Sequence, residues 1–183
     1  MEPKMFCFQC QETAKGTGCI LKGVCGKESH TAQAMDLLLF VVRGVSVVAD
    51  VLRKADCPVS EEVNIFVTDA LFCTITNANF DDESILKRVD KGITMRNGLI
   101  QEAKHNKVLL PKVDELTWQG TRDDYAGKAK TVGVLREQNE DLRSLKELLV
   151  YGLKGMAAYL EHVMRLGFND DTVHVFMQRA LAT

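Results

Sequence analysis

Residues 139–167 read NEDLRSLKELLVYGLKGMAAYLEHVMRLG. Leu142, Leu145, Leu149, Leu153, Met156, Leu160 and Val163 recur every third or fourth position, the spacing that gathers side chains on one face of an α-helix. Asn139 is an N-cap residue type, and Gly167 stands where a glycine ends a helix. Gly152 and Gly155 lower helix propensity inside the stripe, and the expected compensation is close approach by another backbone.

The same period extends through the rest of the chain. Residues 29–54 form a first helix with Ser29 as N-cap, stopped by Asp56-Cys57-Pro58; it is apolar on most sides and is expected at the centre. Ser60 followed by Glu61 and Glu62 starts a second helix over 61–76. Asp81 or Asp82 caps a third, carrying Ile85, Val89, Ile93 and Leu99 and fading near His105. Residues 110–139, with Pro111, Gly120, Gly127 and Gly133, are a long connection with one short helix near 125–130, packed across the helices with Trp118 as its anchor. Asn169-Asp170-Asp171 caps a last helix through Leu181. No alternating strand of useful length is present. The fold class is all-α, a bundle of five or so helices in two stacked antiparallel layers over 29–183, behind an irregular cysteine-rich segment at 1–28.

With 46% apolar and 26% charged residues, the chain has the composition of a folded globular protein. A formal net charge of −2 gives no basic field for nucleic acid. The start, MEPKM, lacks the pattern of a secretory signal, and the apolar run 37–51 is interrupted by Arg43 and Asp50 and falls short of the roughly 20 residues a bilayer span needs. A cytoplasmic protein with no membrane partner is expected. The run ALAT at the end of the chain, without a cap, suggests part of something longer.

Four of the six cysteines fall within the first 25 residues, as Cys7-x2-Cys10-x8-Cys19-x5-Cys25. In a reducing compartment such clustering points to metal ligation or redox chemistry. Interleaved glycines let the loop wrap and aim backbone N–H groups at sulfur, which suits an iron–sulfur cluster. Zinc accepts four cysteines too, but its structural sites show two short hooks and only one occurs here; disulfides or unrelated thiols remain open. Lys4, Lys15, Lys22 and Lys27 bring positive charge that would offset an anionic cluster, or form a solvated surface with Glu2, Glu12 and Glu28. Phe6 and Phe8 bracket Cys7 and could shield a cluster from water. Cys57 and Cys73 read as small hydrophobes, His30 and His162 as surface imidazoles, and His105 and His174 offer no constellation.

The runs MFCFQCQETAKGTGC at 5–19 and GVCGK at 23–27 resemble the N-terminal signature of the hybrid-cluster, or prismane, proteins, a family of hydroxylamine reductases. TITNANF at 74–80, EDLRSLKELL at 140–149 and YGLKGMAAY at 151–159 resemble that family's first, helical domain. The resemblance implies a [4Fe-4S] cluster held by Cys7, Cys10, Cys19 and Cys25. It also implies that electrons pass from there to a second, hybrid cluster in later domains, where hydroxylamine is reduced to ammonia or nitric oxide to nitrous oxide. Ligands for that second site are missing from this chain, which alone is expected to be inactive. The reading is an electron-transfer domain with a redox partner protein as donor and, as a further partner, the hybrid-cluster domains on a longer or separate chain. The rival readings are a redox or nitric-oxide sensing module without turnover and a zinc-stabilised structural domain.

Overall fold

A computed structural model describes residues 4–183; Met1, Glu2 and Pro3, the start of the expected cysteine segment, lie outside the described residues. The helices are α1 (Ser29–Lys54), α2 (Glu61–Cys73), α3 (Asp82–His105), α4 (Asp114–Thr117), α5 (Arg122–Val132), α6 (Glu140–Arg165) and α7 (Asp171–Leu181). No strand forms among the described residues, and the chain is all-α as expected.

α1 is the hub. Leu37, Leu38, Val41, Val42, Val45, Val48, Ala49 and Leu52 make one broad, fully buried face, Phe40, Gly44, Ser46 and Asp50 are buried on its other sides, and α2, α3, α4, α5 and α7 all pack on it. Each large aliphatic buried this way contributes roughly 1.5–3 kcal/mol. Five helices packed round α1 replace the two stacked layers expected. α6 packs mainly on α2 and contributes Leu153, Ala157 and Leu160 to the core.

Local signals set most helix ends. The side chains of Asp81, Asn139 and Asp170 accept from the backbone N–H groups of Ser84, Leu142 and Thr172. α1 begins one position earlier than expected, with Glu28 and not Ser29 in the N-cap position. α2 stops at Cys73, short of Thr76, where the Thr74 hydroxyl donates to Leu71 O at 2.8 Å.

The connection at 110–139 holds two helices, α4 and α5, where one was expected, and both pack on α1. Arg96, fully buried on α3, donates to the main-chain oxygens of Glu115 and Trp118, each at 2.8 Å. Trp118 meets Phe40 edge-on at 5.9 Å, the anchoring role expected of it. Gly44 on α1 makes room for this link: a Cβ there would lie 2.5 Å from Glu115 O.

Gly152 and Gly155 behave otherwise than expected. A Cβ at either would meet nothing within 4 Å, so no backbone approaches them among the described residues. They lie on the outward face of α6 with the exposed Leu145, Leu148, Tyr159 and Leu166.

Candidate functional site

The segment 4–28 folds back on itself beside the start of α1. Cys7 N donates to Cys19 O at 3.1 Å and Cys19 N to Cys7 O at 2.8 Å, an isolated antiparallel bridge that sets these two cysteines side by side. Between them the Thr13 hydroxyl donates back to Cys7 O at 3.0 Å, and a short 3-10 turn spans Ala14–Gly16. Gly18 has φ +134 and a Cβ there would lie 2.7 Å from Phe6 Cε2, so the close return of the loop requires glycine. A second turn, closed by Gly26 N to Gly23 O at 2.9 Å and Gly23 N to Lys27 O at 2.7 Å, carries Cys25.

All four cysteines are free thiols: Cys19 is buried, Cys7 and Cys10 half-buried and Cys25 exposed. Ala14 N–H points at Cys19 Sγ from 3.5 Å, and Thr13 Oγ1 lies 3.7 Å from the same sulfur. Burial works to raise the Cys19 pKa. The backbone N–H groups of Ala14 and Val24, the Thr13 hydroxyl and the charge of Lys27 outweigh it and hold the thiol below its ordinary value. No three His, Cys, Asp or Glu side chains among the described residues converge on a single metal-ion position. The donor chemistry nonetheless suits a larger group. A four-iron core spreads its thiolates over separate corners, and this loop offers four unpaired thiols, N–H donors aimed at sulfur and a nearby cation.

Of the four loop lysines, Lys4, Lys15 and Lys22 are exposed, and Lys22 pairs with Glu28 at 2.5 Å. Lys27 is buried, with its Nζ 3.2 Å from Met35 Sδ. A crevice of about 30 Å³ under the loop is lined in part by Phe6, Cys7, Lys27, Met35, Asp36 and Lys154. Lys154, from the middle of α6, is 2% exposed and donates to Thr74 O at 3.1 Å. Burial pushes the Asp36 carboxyl up to about 7, with Glu147 adding to the effect, and pushes Lys154 down to about 8. Gln9 Oε1 accepts from the Thr76 hydroxyl at 3.3 Å, tying the loop to the segment after α2. Sequence reasoning missed Lys154 and Asp36. The available signal was a lysine set directly beside the buried stripe of α6, between two glycines.

Other residues take quiet roles. The Phe6 and Phe8 rings meet at 5.6 Å, tilted by 50°, with Phe6 half-buried and Phe8 exposed. Cys73 is buried, accepting from Asn79 Nδ2 at 3.3 Å, and Cys57 packs against the core. His30 is exposed and meets Asp82; His162 is exposed near Phe72. His174 is buried with both ring nitrogens satisfied, by Thr68 at 3.3 Å and Asn169 at 2.7 Å.

The chain is similar to curated hydroxylamine reductases. It is 54% identical over 179 residues to that of Bacteroides thetaiotaomicron, covering 97% of this chain and 32% of the relative. Identity is 48% over 182 residues to that of Porphyromonas gingivalis, 99% of this chain and 33% of the relative. For Desulfitobacterium hafniense it is 46% over 181 residues, 97% and 33%. The chain thus spans about a third of the length of these relatives. The sequence model of the Prismane/CO dehydrogenase family matches residues 5–183, and this chain belongs to that family.

Proposed function

We propose that this chain is the electron-transfer part of a hydroxylamine-reductase-like oxidoreductase, and that Cys7, Cys10, Cys19 and Cys25 hold a [4Fe-4S] cluster. The observation that carries the reading is the Cys19 environment, where a buried thiol is kept acidic by N–H donors and a buried lysine. A bound cluster supplies one-electron chemistry. The protein's own part is to hold four thiolates, to stabilise their charge through Ala14 N–H and Thr13, and to keep water from Cys7 with Phe6. In this reading a redox partner approaches on the side of Cys25, and the exposure of that cysteine supports it.

Two features support a further partner, the remainder of a reductase. The relatives, named hydroxylamine reductases, are about three times longer than the matched span, and we assign hydroxylamine turnover to that additional length. Leu145, Leu148, Gly152, Gly155, Tyr159 and Leu166 form one outward stripe on α6, with Tyr159 79% exposed, and large apolar stripes of this kind mark interaction surfaces. The chain by itself is expected to show no hydroxylamine turnover.

The test is anaerobic purification with iron, sulfide and zinc analysis. Brown protein carrying iron and sulfide, its visible absorption bleached by dithionite, supports the reading. Colourless protein with stoichiometric zinc overturns it in favour of a structural metal.

A further inference from the structure

We infer that Lys154 is a positioning residue for the cysteine loop, its buried ammonium group a fixed counter-charge beneath Cys7 that favours the reduced form of the group the four cysteines hold. The inference rests on the reading of those cysteines as cluster ligands and adds to it the residue that sets their electrostatics.

Lys154 is an ammonium group in an expensive place. It has three N–H donors and is almost fully buried, yet among the described residues its only hydrogen bond is to Thr74 O. A buried cation in such a setting carries a large desolvation penalty that nearby negative charge offsets. The titratable groups facing it are Asp36 from α1, Glu147 from its own helix, and Lys27 and Cys7 from the loop, with Arg43 of α1 beside the two carboxyls. Asp36 and Glu147 are both driven toward their neutral forms, chiefly by burial. Lys27, the second buried lysine, makes its one side-chain hydrogen bond among the described residues to the Met35 thioether. The crevice therefore holds two buried cations and carboxylates disposed to keep their protons. Four thiolates around a [4Fe-4S] core of formal charge 2+ supply a net 2−, and each added electron deepens it.

Geometry also explains why this lysine holds the loop in place. Its bond to Thr74 joins α6 to the end of α2, and the Thr76–Gln9 bond joins that same segment to the cysteine loop. Lys154 thus stands where the loop, α1, α2 and α6 meet.

The experiment is a redox titration of the iron-loaded protein, followed by visible absorption and electron paramagnetic resonance, on wild type, Lys154→Met and Lys154→Arg. Lys154→Met keeps length and apolar bulk while deleting the charge. It should load iron and show a more negative midpoint, by at least tenfold in the reduction equilibrium, or about 59 mV for one electron. Lys154→Arg should stay nearer wild type. A loaded Lys154→Met protein with an unchanged midpoint overturns the inference. If Lys154→Met does not fold, Lys154→Gln decides: it too deletes the charge, should load iron and should show the same more negative midpoint, and an unchanged value overturns the inference. Wild-type protein that takes up no iron overturns instead the reading of the four cysteines, and this inference with it.

Discussion

Cys7 and Cys19 are held together by main chain, through reciprocal hydrogen bonds of 3.1 and 2.8 Å. Their placement is therefore independent of what their sulfurs bind. Cys19→Ala should leave helix content unchanged by circular dichroism, since the loop lies outside the α1 core, while abolishing retention of iron and sulfide. The milder Thr13→Val, which removes the hydroxyl bonded to Cys7 O and lying 3.7 Å from Cys19 Sγ but not a ligand, should weaken retention about 10–100-fold. Equal iron content in all three proteins would contradict the site.

Burial holds the Asp36 carboxyl at about 7, above its ordinary 3.8, so the folded chain binds this proton more tightly than the unfolded chain does. The stability this supplies is complete below about 3.8 and is lost as pH rises toward about 7. Lys154, held at about 8, stays protonated through that window. Denaturant unfolding of the metal-free protein should show wild type losing stability between pH 5 and pH 7 relative to Asp36→Asn. Parallel pH profiles would refute the assignment.

Arg96 gives its two shortest hydrogen bonds to the link that carries the only tryptophan. Charge-assisted hydrogen bonds contribute roughly 1.5–3 kcal/mol each, so Arg96→Met should destabilise the chain by about 3 kcal/mol or more. Trp118 emission should shift to the red as the link loosens from Phe40, and an unshifted spectrum would count against the pinning role.

Glycines on two helices should respond in opposite directions. Gly44→Ala forces a methyl group against Glu115 O and should cost about 1–3 kcal/mol, whereas Gly155→Ala meets nothing and should stabilise the chain by about 0.4–1 kcal/mol. Equilibrium unfolding of both variants checks the contrast.

These residues also show how far the sequence could be read. Caps at Asp81, Asn139 and Asp170 were legible because a cap is a local bargain between a side chain and an N–H three residues away or fewer. The central position of α1 followed from its apolar surround. α4 escaped notice because four residues carry no period. Gly155 was misread because periodicity tells which face is apolar, and not whether this chain supplies the neighbour. Lys154 and Arg96 went unmarked for a related reason: the partners that make a buried cation tolerable come from residues 80 and about 20 positions away. The cysteine spacing pointed to the loop, but the acidity of Cys19 depends on backbone donors that only the folded turn aims.

The most direct test of the account is the iron and acid-labile sulfide content of anaerobically prepared protein, measured beside its electron paramagnetic resonance after dithionite. The account predicts close to four irons and four sulfides per chain, as a [4Fe-4S] core requires, and a signal that appears on one-electron reduction. A silent, colourless protein whose four thiols hold zinc, or react freely while iron is offered in excess, would contradict it.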